Sequence, residues 1–152
     1  MRVTRRYKFS ASHRLHSGRL SEDENWAIYG KCNNPYGHGH NYILEVSAAG
    51  PVDEITGQAV NVELLDRLVR ETVLREFHMK NLNSLAPDFT QVVPTTENLV
   101  TAIGRRLLQA WPSAFPDGRP RLERIRVEET RRNAFEMWLT PALRPPAATD
   151  PH

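Results

Sequence analysis

The sequence predicts an α+β fold: one antiparallel sheet of four strands with two helices on one face, in the order β-β-α-α-β-β. Three observations lead there. Apolar residues alternate with a period of two near both ends of the chain, they recur every three or four residues in the middle, and no linker or internal repeat divides the chain. The 152 residues suffice for one domain with a real core and are few for two.

The first strand is expected over Val3 to His13, where Val3, Arg5, Tyr7 and Phe9 share one parity. Residues 16–37 are rich in Ser, Gly, Asn and Pro and read as a long functional loop. His40 to Ala48 is the clearest early strand, with Tyr42, Leu44 and Val46 on one face, and Gly50-Pro51 and Thr56-Gly57 punctuate the turn after it. From Asn61 to Phe77 the spacing becomes helical: Val62, Leu65, Val69, Val73 and Phe77 form a stripe and Asn61 is the N-cap. A loop holding Asn81, Asn83 and Pro87 follows. The second helix is expected from about Thr96 to Trp111, with Leu99, Val100, Ile103, Leu107 and Leu108 as its stripe and Pro112 as its stop. Arg121 to Glu129 and Ala134 to Leu139 complete the pattern as strands. Residues 1–140 thus read as a single domain, and the tail 141–152, with Pro145-Pro146 and Ala147-Ala148, is expected to be disordered. A sheet covered on one face only leaves the other face and two edges open, which is a physical reason to expect a homo-oligomer.

Composition narrows the function classes. Hydrophobic residues make up 39% and charged residues 25%, an ordinary mixture for a globular domain, and a net charge of +2 is too small to imply a nucleic-acid surface. Arg124 and Arg126 alternate with Ile125 and Val127, which reads as the solvated face of a strand, with contact to an anionic small molecule as the other reading. No window approaches the ~20 apolar residues of a membrane span, and the basic N-terminus has no apolar run behind it to make a secretory signal. With one cysteine, Cys32, no intrachain disulfide can form, and the expected location is the reducing cytoplasm.

The sharpest chemical signal is His38-Gly39-His40. Side chains at i and i+2 of an extended segment point the same way, so two imidazoles can converge on one ion, and Gly39 leaves space between them. Imidazole suits Zn²⁺, and a catalytic zinc takes three protein ligands with an open fourth position. His13, at the end of the first strand, is the expected third ligand, and His16 in the neighbouring loop is the competing candidate.

Phe9-Ser10-Ala11-Ser12-His13-Arg14-Leu15 and Lys31-Cys32-Asn33-Asn34-Pro35-Tyr36-Gly37-His38-Gly39-His40-Asn41-Tyr42 resemble 6-pyruvoyl-tetrahydropterin synthases of the animal type. Lys80-Asn81-Leu82, Thr95-Thr96-Glu97-Asn98 and Glu129-Thr130 extend the resemblance in order from about residue 3 to 138. It implies the tunnelling fold, in which three such sheets join into a trimeric barrel and two trimers stack into a hexamer with active sites between subunits. It implies a zinc-dependent lyase of tetrahydropterin biosynthesis that eliminates triphosphate from 7,8-dihydroneopterin triphosphate. By the same resemblance His13, His38 and His40 hold the zinc, Cys32 is the acid-base thiol, Glu129 anchors the amino-pyrimidine edge of the pterin, and Thr95, Thr96 and Glu97 line its pocket. Local readings stand beside these: a lone cysteine as a small hydrophobe, Glu129 as a strand-end carboxylate in solvent, and Thr95 and Thr96 as the N-cap region of a helix.

The pattern departs from the family in one place. The Asp-His pair that usually precedes Lys-Asn-Leu, and assists the cysteine in proton transfer, is replaced by His78-Met79. Methionine can neither orient an imidazole nor carry a proton, so His78 is either a catalytic group reaching the site by another path or a helix C-terminal residue placed well against the dipole. Five residues separate Cys32 from His38, as in the pyruvoyl-forming synthases, whereas the related 6-carboxytetrahydropterin synthases of the queuosine pathway usually have three. Formation of 6-carboxytetrahydropterin, or pterin binding with little turnover, are the alternative expectations.

Overall fold

The computed structural model describes residues 1–139, so the tail at 141–152 lies outside the described residues. Strand β1 (Arg2–His13) pairs antiparallel with β2 (His38–Ala49) in unbroken register, from Arg2 opposite Ala49 to His13 opposite His38. Strand β2 pairs with β4 (Arg121–Glu128), which pairs with β5 (Ala134–Trp138). The sheet has five strands, not four. The addition is β3 (Lys80–Asn81), which lies parallel to the free edge of β1 with Lys80 opposite Ala11, so the order is β3-β1-β2-β4-β5. Two residues carry no periodicity, and the chain is tied to β1 just before them, where the Met79 N–H donates to the Ser10 carbonyl at 2.7 Å.

The long loop expected between β1 and β2 contains a helix, α1 (Glu22–Tyr29), followed by a 3₁₀ turn over Gly30–Asn33. Asn25 is the buried residue of α1, so the helix shows no apolar stripe. What starts it is a capping box: Ser21 accepts from the Glu24 N–H while the Glu24 carboxylate accepts from the Ser21 N–H.

The first expected long helix is α2 (Val62–Val69), capped by Asn61, and it runs through a π turn over Arg70–Leu74 into α3 (Arg75–Phe77). Leu65, Val69, Val73 and Phe77, four residues apart, are all buried. Each four-residue step overruns an α-helical turn by about 40°, and the wider π turn absorbs the drift, keeping the stripe on the sheet. After a short helix, α4 (Leu82–Leu85), helix α5 (Thr96–Ala114) packs beside α2. Pro112 does not stop α5 but sits in its last turn, where the missing N–H forfeits a single bond. Gly104 leaves room on α5 for the Met137 side chain of β5, whose Cε a Cβ there would displace.

The core lies between the helices and one face of the sheet. Phe9, Tyr42, Leu44, Val46, Ile125 and Val127 point into it, and Phe9 stacks on Tyr42 with ring centroids 5.0 Å apart. Even-numbered β1 residues face the other way, to an open surface where Arg6, Arg124 and Arg126 surround Glu45. Arg124 and Arg126 do point away from the core, but they are only partly solvated, held in ion pairs with Glu45. No described helix is long and apolar enough to cross a membrane.

Candidate active site

His13, His38 and His40 lie on the helix-covered face, at the end of the sheet where β1 stops and β2 begins. The register places His13 opposite His38 and Ala11 opposite His40, so the small Ala11 side chain leaves His40 room beside the other two rings. Gly37 makes the close approach possible. Its φ is +69°, and a Cβ there would sit 2.8 Å from the His13 carbonyl oxygen.

The three rings form a triangle with centroids 4.8, 5.1 and 4.8 Å apart, each pair nearly perpendicular. One ring nitrogen from each lies within 4.8 Å of the others, and His13 Nε2 is 3.2 Å from His38 Nε2. His13 Nδ1 donates to the Pro94 carbonyl at 2.8 Å, which puts the proton on Nδ1 and leaves the Nε2 lone pair for the centre. His40 Nε2 is buried with no hydrogen-bond partner, a costly state that a cation at the centre would relieve. Burial holds the His13 pKa down, with the Pro94 carbonyl opposing only in part; burial does the same for His40, against the Glu129 carboxylate. Neutral imidazoles are what a metal ion needs. The convergence of the three rings, the His13 tautomer and the unpartnered His40 Nε2 fit a metal ion. His16 is not part of it: its Nδ1 is 3.0 Å from Asn33 Oδ1.

Glu129, one residue beyond β4, turns its carboxylate to the same face, with Oε1 3.7 Å from His40 Nε2. The Thr96 hydroxyl, in the first turn of α5, donates to that oxygen at 2.6 Å. Thr95 is the N-cap of α5, accepting from the Asn98 N–H at 3.3 Å, so the capping reading of this pair describes Thr95 while Thr96 turns inward. Cys32, in the 3₁₀ turn, is half-buried, and its thiol is pushed up by burial and then by the Glu129 charge. The Tyr42 hydroxyl is buried near Thr96, and burial followed by Glu129 raises its pKa, with Thr96 opposing.

The structure thus brings His13, His38, His40, Thr96 and Glu129 together, with Cys32 within electrostatic reach. Glu97 stands exposed on α5. His78 is also exposed, at the C-cap of α3, where its Nδ1 accepts the Ser10 N–H at 3.1 Å; among the described residues no hydrogen bond or ring contact ties it to the histidine triangle. Its neighbour Met79, where the chain departs from the family pair, has φ +59° and is the single non-glycine residue at positive φ among those described. The sequence left Pro94 out of the site because a carbonyl acceptor carries no residue signature. A cavity of about 810 Å³ lies at the far end of the sheet, between residues 51–61 and 114–120, and joins none of these groups.

The chain is similar to known proteins over most of its length. The family model described as 6-pyruvoyl tetrahydropterin synthase matches residues 2–139. The chain is 45% identical over 131 residues to the 6-pyruvoyl tetrahydrobiopterin synthase of Poecilia reticulata, covering 86% of this chain and 85% of that protein. It is 41% identical to the Homo sapiens protein of the same name, covering 86% of each. The solved structure of Caenorhabditis elegans 6-pyruvoyl tetrahydropterin synthase superposes with a TM-score of 0.82 at 33% identity, covering 92% of this chain and 96% of that one. With the match spanning nearly the whole described chain, this protein belongs to the 6-pyruvoyl tetrahydropterin synthase family.

Proposed function

We propose that this chain is a zinc-dependent carbon-oxygen lyase that eliminates triphosphate from 7,8-dihydroneopterin triphosphate to give 6-pyruvoyl-tetrahydropterin. The observation that carries the reading is the triangle of His13, His38 and His40 beside the Thr96–Glu129 pair, three imidazoles that could hold a metal ion and a carboxylate on one face of one sheet end. Zinc is favoured as the ion because an all-imidazole set with an open position suits it.

A zinc ion held there would supply Lewis acidity that makes the C–H bonds beside the substrate's side-chain oxygens more acidic. The remaining work falls to side chains. Glu129 accepts the paired N–H donors of the pterin's amino-pyrimidine edge, with the Thr96 hydroxyl holding one of its oxygens and Thr95 and Glu97 bordering the pocket. Cys32 moves the proton: burial keeps it a thiol in the free protein, and a neighbouring cation favours the thiolate. His78 is proposed as the second proton carrier, reaching the site of a neighbouring subunit, since it is exposed beside the β3 edge. That arrangement goes with assembly into trimeric barrels and a homohexamer in the cytoplasm, for which the open face and edges of the sheet are the physical support.

The test is to incubate the purified protein with 7,8-dihydroneopterin triphosphate and identify the products by mass. Triphosphate and 6-pyruvoyl-tetrahydropterin are expected. Acetaldehyde with 6-carboxytetrahydropterin would replace the reaction assigned here, and tight binding without product would leave a pterin-binding protein, the reading that the His78-Met79 departure favours.

A further inference from the structure

The chain that leaves β1 does not run free. Directly after His13, three consecutive residues reach across to the 3₁₀ turn that carries Cys32. The Leu15 N–H donates to the Cys32 carbonyl at 2.8 Å. Arg14 donates through Nε to the Asn33 carbonyl at 3.0 Å and through Nη2 to Asn33 Oδ1 at 3.2 Å. His16 Nδ1 is 3.0 Å from the same Oδ1. Asn33 is 5% exposed, and its side-chain oxygen thus meets two donors inside the protein. Arg14 is itself held by a reciprocal pair with Asn83: its N–H donates to Asn83 Oδ1 at 2.7 Å, and Asn83 Nδ2 donates back to the Arg14 carbonyl at 2.8 Å.

A single 3₁₀ turn has poor hydrogen-bond geometry and little intrinsic stability, so these ties, rather than the turn itself, hold the residues they grip. The ties originate in the three residues that follow a metal-ligating histidine and end on Cys32 and its neighbour. They couple the position of the thiol to that of His13.

We propose that Asn33 is a positioning residue, the anchor through which Arg14 and His16 fix the Cys32 thiol relative to the metal histidines. This rests on the proposed role of Cys32. It also gives His16 a task other than ligation. Loss of the anchor is expected to let the 3₁₀ turn shift while the three ligands, which sit on β1 and β2, stay in place.

The test compares Asn33→Leu, which keeps the branched skeleton but has no acceptor, with Asn33→Asp, which keeps both lone pairs facing a guanidinium and an imidazole. The zinc-loaded protein is the sample. Asn33→Leu is expected to lower kcat by about 10- to 100-fold with KM little changed and zinc content retained. The rate of alkylation of Cys32 by iodoacetamide, read by mass on the chain's single cysteine, should change with it. Asn33→Asp should recover much of both. His16→Ala, which removes one donor, should move both readouts the same way by less, and it serves if Asn33→Leu does not fold. Wild-type kcat and alkylation rate in Asn33→Leu and His16→Ala would overturn the proposal. So would losses that follow zinc content or thermal stability in both Asn33 variants. If the wild-type protein has no turnover on dihydroneopterin triphosphate, the functional reading fails separately, and the alkylation rates still decide this one.

Discussion

Thr96 donates its hydroxyl proton to Glu129 Oε1 across 2.6 Å, joining the first turn of α5 to the residue just past β4. The bond holds a carboxylate beside the histidine triangle that would otherwise be a flexible strand-end side chain. Elements almost at opposite ends of the fold's second half are thereby made to serve one site.

Glu129→Gln keeps the shape but replaces an acceptor-only group with one that also donates. Binding of neopterin should weaken by about 1.5–3 kcal/mol, roughly 10- to 100-fold, as measured by calorimetry on the zinc-loaded protein. An unchanged Kd would remove Glu129 from the binding site.

Metal analysis of purified protein should find about one zinc per chain. His38→Ala and His40→Ala should lose it while remaining folded, because neither ring is part of the central core. His16→Ala should keep it. Chelation should lower the thermal midpoint of the wild type and leave that of His38→Ala unmoved, since an ion bound only by the folded state stabilises by mass action. Full occupancy in either ligand variant would sink the assignment.

Cys32→Ser removes the thiol and keeps nearly the same volume, so zinc and pterin binding should survive while turnover falls about 10²- to 10⁴-fold. His78→Ala should also lose turnover, and the double variant should be no worse than the poorer single one if both serve one proton path. Fully additive losses would separate them. Near-normal turnover in His78→Ala would make that residue structural.

Asp88 tests the scaffold instead of the site. Its side chain accepts from Arg106 Nη2 at 2.7 Å and Arg105 Nη2 at 3.2 Å, clamping the turn at Pro87–Phe89 onto α5. Burial pushes the carboxyl up, but the Arg106 bonds and charge outweigh it and hold the pKa below the usual range. A depressed folded pKa gives stability that is present above the unfolded value, about 4, and lost as pH falls through the folded one. Asp88→Asn should therefore cost about 1.5–3 kcal/mol at pH 7. Denaturant titrations should show that difference shrinking as the pH drops below 4. A constant difference across pH would mean that charge is not the cause.

Sequence alone determined what short-range physics encodes. Alternation marked Phe9, Tyr42, Leu44 and Val46 as one face, three-to-four spacing marked α2 and α5, and the i, i+2 geometry of His38 and His40 allowed a shared ion, a weak signal alone that the motifs resembling the family strengthened, with His13 and His16 both open as the third ligand on local grounds. Those signals are local, so they survive without knowledge of the partner elements. Tertiary structure alone decided the rest. That His13 and not His16 closes the triangle follows from the register of β1 on β2 and from Gly37, a cross-strand relationship. The Pro94 carbonyl that sets the His13 tautomer belongs to backbone, which every residue has and no sequence pattern distinguishes. Strand β3 and the π turn exist because the chain must return to the sheet edge at a given point and keep an over-long stripe aligned on the way. Glu129 shares parity with Ile125 and Val127, so the sequence already allowed it the apolar face beside the competing solvent reading; the Thr96 hydroxyl that meets its carboxylate there came only with the packing of α5 on the sheet.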